Sequence, residues 1–231
     1  MVVSSFRSFF FLASLLLASS SFVHAQDGED RPRVQIETSL GSMVVELYNE
    51  TPIHRDNFLK LAGEGFYDGL LWHRVIAGFM TQGGDPKSKG AAPGTRLGSG
   101  GPGYTLESEI DPAFNHVKGA LSAARQGDQA NPQRRSSGSQ FYIVQGRDVS
   151  AQALQQIVNS KRNSVLQAFS YTADQIAEYG ELGGTPHLDM QYTVFGRVVE
   201  GLDVLDAICA VPTDRSDRPA EDIEMSMKIL D

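Results

Sequence analysis

Apolar and polar residues alternate along much of this chain, as expected for β-strands. Arg33–Glu37 and Ser42–Leu47 follow this period, and a turn at Ser39–Gly41 separates them, so they predict a β-hairpin. Five further apolar segments are predicted strands: Leu70–Ile76, Phe79–Gln82, Gly119–Ala124, Gln140–Gln145 and Tyr192–Val199. Long loops rich in glycine and proline lie between them, at Gly83–Gly103 and Arg125–Gly138. Many short strands with frequent turns predict a mainly β barrel or sandwich.

Three segments have a helical pattern instead. Thr51 is the expected N-cap of a helix that begins at Pro52 and ends near Gly63–Gly65. Ser150–Phe169 and Thr172–Leu182 have helical composition, and the second opens with a capping-box sequence and is followed by two glycines. Because residues 148–186 are too few for a core of their own, we interpret them as a helical insertion between two strands.

The N-terminus differs from the rest of the chain. Arg7 is the only charged residue among the first 25, the apolar run Phe9–Leu17 follows it, and Val23–Ala25 resembles a cleavage site. This pattern predicts a signal peptide at residues 1–25, a linker at 26–33 and one domain at 34–231. A buried N-terminal helix is the alternative, but the polar linker disfavours it. We expect export to the periplasm or extracellular space, or to the secretory compartment of a eukaryote.

Composition and charge exclude several classes of function. The net charge of −8 comes from interspersed acidic and basic residues, whereas nucleic-acid binding requires a basic face. The apolar run Phe9–Leu17 is shorter than the roughly 20 residues that span a bilayer, so no stable membrane insertion is expected. Cys209 is the only cysteine, and the five histidines lack ligand spacing, so we expect no disulfide, no metal and no cofactor. Gly98–Gly103 lacks the ending of a phosphate-binding loop.

Candidate chemistry is concentrated in the segment Leu71–Asp85. If it is extended, Trp72, Arg74 and Ile76 share one face. Phe79, Met80 and Gln82 follow closely. A buried arginine is costly unless it meets an acceptor. From these residues alone, two interpretations stay open: a structural salt bridge beside core residues, or a functional guanidinium beside an apolar pocket.

Two more segments decide between them. Leu71–Asp85, Gly138–Val144 and His187–Val198, in this order, resemble the cyclophilin family of peptidyl-prolyl cis/trans isomerases. The resemblance runs from Val34 to the C-terminus, with residues 148–186 as extra sequence. It implies a closed eight-stranded antiparallel barrel capped by two helices, with a groove on its outside that binds X-Pro peptides.

The resemblance also implies the site residues. The family's catalytic arginine falls on Arg74. The proline pocket falls on Phe79, Met80, Tyr142, Leu188 and Tyr192, and the peptide-binding groove on Gln82, Ala124, Gln140 and Arg125.

Three of these positions, and the neighbouring His187, depart from the family pattern. Arg125 replaces an asparagine of the groove. Tyr142 replaces a common phenylalanine and brings a hydroxyl that needs a partner. Tyr192 replaces the pocket histidine of many members, as in a number of bacterial relatives. His187 replaces a tryptophan associated with tight cyclosporin binding, which puts drug sensitivity in doubt.

The resulting prediction is an enzyme that accelerates X-Pro rotation during the folding of exported proteins. Its expected partners are proline-containing peptides and unfolded or partly folded exported proteins, and we expect a monomer. The rival hypothesis is a chaperone or binding module that uses the groove and the insertion to hold unfolded or partner chains. An amphipathic helix packed on its own barrel is the commoner explanation of such an insertion.

Overall fold

A computed structural model describes residues 31–161 and 169–230. The predicted signal peptide and most of the linker lie outside the described residues. The strands are β1 (Arg33–Thr38), β2 (Gly41–Leu47), β3 (Leu70–Leu71), β4 (Arg74–Ile76), β5 (Met80–Gly83), β6 (Thr105–Leu106), β7 (Ala120–Ala123), β8 (Ser136–Ser137), β9 (Phe141–Val144), β10 (Val194–Glu200) and β11 (Glu224–Leu230). The helices are α1 (Pro52–Gly63), α2 (Ala151–Lys161), α3 (Ala173–Leu182) and α4 (Leu202–Cys209), with 3₁₀ turns at Pro86–Ser88 and Pro186–Leu188.

In the described part of the chain, nine strands form one antiparallel sheet, in the order β3-β11-β1-β2-β10-β7-β9-β5-β4. β6 and β8 form a separate pair. The predicted mainly β fold is therefore confirmed. The C-terminal strand β11, which pairs with β1 along its whole length, was not recognised in the sequence.

The expected closed, eight-stranded barrel differs from the structure in two respects, its closure and its number of strands. The sheet has nine strands and is strongly curled but open between its edge strands β3 and β4. These edges come from one predicted strand that breaks at Trp72 and His73. The Trp72 N–H donates to the Ile223 carbonyl at 2.9 Å and the Val75 N–H to the Asp217 carbonyl at 2.7 Å. The residues on either side of the break thus bond to the 217–223 loop.

The main core lies inside the curled sheet. In the hairpin, Val34 and Ile36 of β1 face Val45 and Met43 of β2, and all four are fully buried. α1 adds buried residues such as Phe58, and α4 adds Val204, Leu205, Ile208 and Cys209, so these two helices cap the core. Burial of each such side chain stabilises the fold by about 1.5–3 kcal/mol.

The start of α1 is capped differently from the prediction. Thr51 makes no side-chain cap; its hydroxyl donates to the Tyr48 carbonyl at 3.3 Å. The carboxylate of Glu109 takes this role. It accepts from the N–H groups of Ile53 at 3.0 Å and His54 at 2.9 Å, and its Oε2 lies 2.6 Å from His54 Nδ1. The cap of α1 is thus supplied by a residue distant in sequence.

The described part of residues 148–186 packs against the segment that leads into β7. The predicted capping box of α3 is confirmed, with reciprocal hydrogen bonds between Thr172 and Gln175. α2 carries buried Leu154 and α3 carries buried Tyr179, and both join a small cluster with Val117 at the approach to β7. The predicted extension of α2 through residues 162–168 lies outside the described residues. In the described ranges, no helix is long and apolar enough to cross a membrane.

Candidate active site

One pocket of about 120 Å³ collects nine of the ten residues that the sequence predicted for the site. Its lining comprises Arg74, Phe79, Met80, Gln82, Ala124, Arg125, Tyr142, Leu188 and Tyr192. The tenth residue, Gln140, lines a neighbouring groove that shares Gln82, Ala124 and Arg125 with the pocket.

Strand register explains why distant residues meet here. Arg74 of β4 lies opposite Gln82 of β5, and Gln82 lies opposite Tyr142 of β9. Directly opposite residues in an antiparallel sheet point to the same face. Successive residues of a strand point to opposite faces, so Ile143 joins the main core while Tyr142 joins a second cluster with Met80. The pocket therefore lies on the face of the sheet away from the main core.

Arg74 lies at the edge of this pocket and also makes an ion pair. Its Nε is 3.4 Å from Asp217 Oδ2, and the two side chains are 41% and 42% exposed. Ion pairs of this exposure contribute about 0–1 kcal/mol. A guanidinium has five N–H donors, so this contact leaves donors that can turn towards the pocket. The structural and the functional interpretation of Arg74 are thus compatible.

Two glutamines mark the border between the pocket and the groove. The side-chain amide of Gln82 donates to Gln140 Oε1 at 3.0 Å. Gln140 in turn donates from Nε2 to the Gly100 carbonyl at 2.6 Å. This chain of bonds holds both side chains in defined orientations.

Arg125 forms a fixed wall of the pocket. Its Nε donates to the Gln191 carbonyl at 3.0 Å, and its Nη1 donates to the Gln126 carbonyl at 3.0 Å and to Asp128 Oδ1 at 2.6 Å. Its guanidinium carbon lies 4.6 Å from the centroid of the Tyr192 ring, in cation–π geometry. The side chain is only 4% exposed. Arg125 was a predicted groove residue, but these contacts follow only from the tertiary structure.

The hydroxyl of Tyr142 has the partner that its burial requires. It lies 3.0 Å from Nε2 of His116, a residue that sequence reasoning did not include in the site. His116 Nδ1 lies 2.8 Å from Asp189 Oδ1. Burial raises the pKa of Tyr142 well above its usual value, so the phenol stays neutral. The signals that could have found this pair were the phenol at a common phenylalanine position and the carboxylate next to Leu188.

His187 lies beside the pocket, where the resemblance places a tryptophan. It is exposed, and its ring stacks on Phe79 with centroids 5.8 Å apart and planes 26° from parallel. Across the described portion of the chain, no group of three or more His, Cys, Asp or Glu side chains could hold a metal ion.

Comparisons with known proteins agree on one family. The family "Cyclophilin type peptidyl-prolyl cis-trans isomerase/CLD" matches residues 33–228. A Staphylococcus aureus protein named as a peptidyl-prolyl cis-trans isomerase is 35% identical over 202 residues, which are 86% of this chain and 90% of that protein. A Streptococcus pyogenes protein named as a bifunctional phosphatase/peptidyl-prolyl cis-trans isomerase is 39% identical over 198 residues. That match spans 83% of this chain but only 37% of the longer relative.

Solved structures show the same relationship. The crystal structure of a cyclophilin type peptidyl-prolyl cis-trans isomerase from Cryptosporidium parvum superposes with a TM-score of 0.61 at 25% identity, covering 87% of this chain and 99% of that one. A second structure of the Cryptosporidium protein, determined in the presence of the dipeptide Ala-Pro, gives a TM-score of 0.60 at 25% identity. It covers 86% of this chain and 99% of that one.

Proposed function

This chain belongs to the cyclophilin-type peptidyl-prolyl cis-trans isomerases, and we propose that Arg74 is its catalytic residue and that the adjoining pocket holds the substrate's proline ring. The observation that carries this proposal is the convergence on one pocket of nine residues that the family resemblance assigned to the site. As a member of the family, the protein is an enzyme that acts on X-Pro bonds.

The reaction needs little chemistry from the protein. Rotation about an X-Pro amide has a barrier of about 18–20 kcal/mol because the bond has partial double-bond character. No bond is made or broken, so the enzyme has only to bind the twisted amide more tightly than either planar isomer. In the twisted amide the prolyl nitrogen is pyramidal and carries a lone pair. Arg74 would donate a hydrogen bond to this lone pair from a permanently charged guanidinium.

The pocket restricts which part of the substrate rotates. Phe79, Met80, Tyr142 and Leu188 offer the pyrrolidine ring an apolar enclosure. Gln82 lies beside it and would hold the peptide backbone while the acyl side turns. One charge-assisted hydrogen bond contributes about 1.5–3 kcal/mol, and each 1.36 kcal/mol is a factor of about ten in rate. Arg74 would therefore supply about ten- to a hundredfold, and the geometry of binding the remainder.

The test is the variant Arg74→Ala in a protease-coupled assay with a proline-containing peptide. We expect kcat/KM to fall at least about tenfold with the fold intact. Asp217→Ala, which removes only the ion-pair partner of Arg74, should keep activity within about threefold, because that pair is exposed. Arg33→Ala is the matched control, since Arg33 is an exposed arginine on β1. Near-normal activity of Arg74→Ala would refute the assignment.

Export belongs to this proposal. Its support is the sequence of residues 1–25, where a lone charge, a short apolar run and a cleavage-like Val23–Ala25 follow one another. The substrates would then be proline-containing segments of unfolded or partly folded exported proteins, met by a monomeric enzyme. Mass spectrometry of the protein from host cell fractions should find an N-terminus at Gln26 outside the cytoplasm. An intact Met1 in the cytoplasmic fraction would contradict it.

Holding unfolded chains is the second candidate function. Ile176 and Leu182 of α3 favour it, because they are large apolar side chains with exposed fractions of 36% and 37%. Their replacement by serine would lower suppression of client aggregation if they bind unfolded chains. Unchanged suppression would count against this second function, and isomerisation measured in parallel would keep the two activities apart.

A further inference from the structure

A chain of buried hydrogen bonds joins the insertion to the proline pocket. Asp189 Oδ1 accepts from the backbone N–H and from the ring Nδ1 of His116, each at 2.8 Å. Asp189 Oδ2 accepts from the hydroxyls of Tyr171 and Tyr179, each at 2.6 Å. At the other end, His116 Nε2 lies 3.0 Å from the Tyr142 hydroxyl. Tyr171 and Tyr179 belong to residues 148–186, and Tyr142 lines the pocket.

These hydrogen bonds connect side chains in the interior of the protein. Asp189 is 1% exposed, His116 and Tyr179 are fully buried, and Tyr142 is 5% exposed. Burial by itself raises the pKa of the Asp189 carboxyl, but the hydrogen bonds from His116, Tyr171 and Tyr179 outweigh it and lower that pKa. The carboxylate is therefore ionised. A buried charge is tolerated only when its hydrogen-bonding capacity is used, as it is here.

The direction of each bond to Asp189 follows from the chemistry of its carboxylate. Because ionised Asp189 can only accept, the hydrogen of the His116 ring lies on Nδ1. Its Nε2 lies 3.0 Å from the Tyr142 hydroxyl, and a phenol can either donate or accept in that bond. The pKa values of Tyr171 and Tyr179 are raised mainly by burial and secondly by the nearby Asp189 charge. Both phenols therefore remain neutral donors. The chain thus holds the hydroxyl of Tyr142 against the His116 ring.

The backbone around His116 is held by the same part of the molecule. The Thr185 N–H donates to the His116 carbonyl at 2.8 Å. Gly184, at the end of the insertion, has a φ of +151°, and a Cβ there would collide with that carbonyl oxygen and with the Tyr179 ring. The end of the insertion is therefore packed tightly against the His116 backbone.

The Tyr142 ring connects His116 to the proline pocket. Its ring stacks with His116 at 6.1 Å and 13°, and the Tyr192 ring meets it edge-on at 5.9 Å and 87°. Tyr142 and Tyr192 are two walls of the pocket.

From these contacts we propose that Asp189 and His116 are positioning residues for the isomerase. In this proposal the insertion supplies Tyr171 and Tyr179 to hold Asp189, and through His116 it fixes Tyr142 as a wall of the proline pocket. The proposal rests on the proposed function of that pocket. It gives the insertion a role in substrate binding by its own domain.

The expected kinetic signature separates positioning from folding. The pocket would bind the proline ring equally tightly in both planar isomers and in the twisted state. Loosening it therefore weakens ground-state and transition-state binding together, which raises KM and leaves kcat nearly unchanged. A variant that merely folds less well has fewer active molecules, so its apparent kcat falls at constant KM.

The experiment is a double-mutant cycle on the full chain with Tyr179→Phe and Tyr142→Phe, each of which removes a single hydroxyl. We expect each variant to raise KM at least about threefold with kcat within about twofold, and the double variant to raise KM no further than the larger single effect. Tyr171→Phe, at a partly buried position, tests the same link if Tyr179→Phe folds poorly. Tyr48→Phe is the control, because Tyr48 is a buried phenol stacked on Phe114 outside this chain of bonds.

Two results would overturn the proposal. One is a fall in melting temperature with no change in KM for Tyr179→Phe or Tyr171→Phe. The other is an additive rise in KM in the double variant, since that would mean the two hydroxyls act independently. The wild type and Arg74→Ala, assayed alongside, report on the function itself. An inactive wild type would overturn both proposals, whereas an active wild type with unchanged KM in the insertion variants would overturn only this one.

Discussion

The cap of α1 allows a sharp prediction about stability. Glu109 Oε1 and Oε2 accept the N–H groups of Ile53 and His54 at 3.0 and 2.9 Å, and Oε2 lies 2.6 Å from His54 Nδ1. The Glu109 N–H donates to Thr193 Oγ1 at 2.9 Å, which fixes the loop that carries the carboxylate. Glu109→Ala would remove every side-chain bond at once.

The magnitude follows from the groups left without partners. Loss of an N-cap costs about 0.5–2 kcal/mol. His54 is 2% exposed, so its Nδ1 would remain buried without an acceptor, at about 1–3 kcal/mol. Together these give a loss of roughly 1.5–5 kcal/mol in the free energy of unfolding, which for a domain of this size lowers the melting temperature by about 3–20 °C.

The effect of Glu109 should also depend on pH. Burial alone would raise the pKa of this carboxyl. Hydrogen bonds from the His54 ring and from the N–H groups of Ile53 and His54 lower the pKa by more than burial raises it, so the net shift is downward from 4.5. A group whose pKa is lower in the folded state contributes its full stability above its unfolded pKa. That contribution is lost as the pH falls through the folded pKa. The difference between wild type and Glu109→Ala should therefore be largest near neutral pH and shrink in acid.

Urea unfolding followed by circular dichroism, at several pH values, measures this difference. Glu107→Ala is the matched control, because Glu107 is 76% exposed and makes one contact of 3.4 Å with Arg135. Its free energy of unfolding should change by less than about 0.5 kcal/mol. A loss below about 0.5 kcal/mol for Glu109→Ala, or a loss that does not change with pH, would refute the cap.

Two further predictions concern glycine and histidine positions. Gly180→Ala should stabilise the protein by about 0.5–1 kcal/mol in urea unfolding, because Gly180 lies in α3 and a Cβ there meets nothing within 4 Å. Gly184→Ala should destabilise it by at least about 1 kcal/mol, owing to its φ of +151° and the collision with His116; equal effects of the two substitutions would contradict this reasoning. Burial lowers the pKa of His73 to about 4, so between pH 6.5 and 4 the unfolded chain binds a proton that the folded chain does not. The free energy of unfolding should fall over that range by up to about 3 kcal/mol, and a fall just as steep in His73→Gln would exclude His73 as its cause.

The local pattern of the sequence determined much of this protein. Alternation predicted the hairpin of β1 and β2, and a four-residue signature predicted the capping box at Thr172. Both depend on neighbours in the chain, which a sequence displays directly. The site residues came from ordered motifs that resemble one family, and nine of them line one pocket. Their roles remain predictions for the assays above.

Only the tertiary structure decided the contacts between distant segments. Trp72 and Val75 donate to the 217–223 loop where the predicted strand breaks, and α1 is capped by Glu109 rather than by Thr51. The link from the insertion to Tyr142 runs through Asp189 and His116, which lie 73 positions apart in the sequence. Periodicity records which face of an element is buried, but not which distant polar group meets it there. That choice depends on the path of the whole chain, because a buried donor or acceptor pairs with whatever group folding brings within reach.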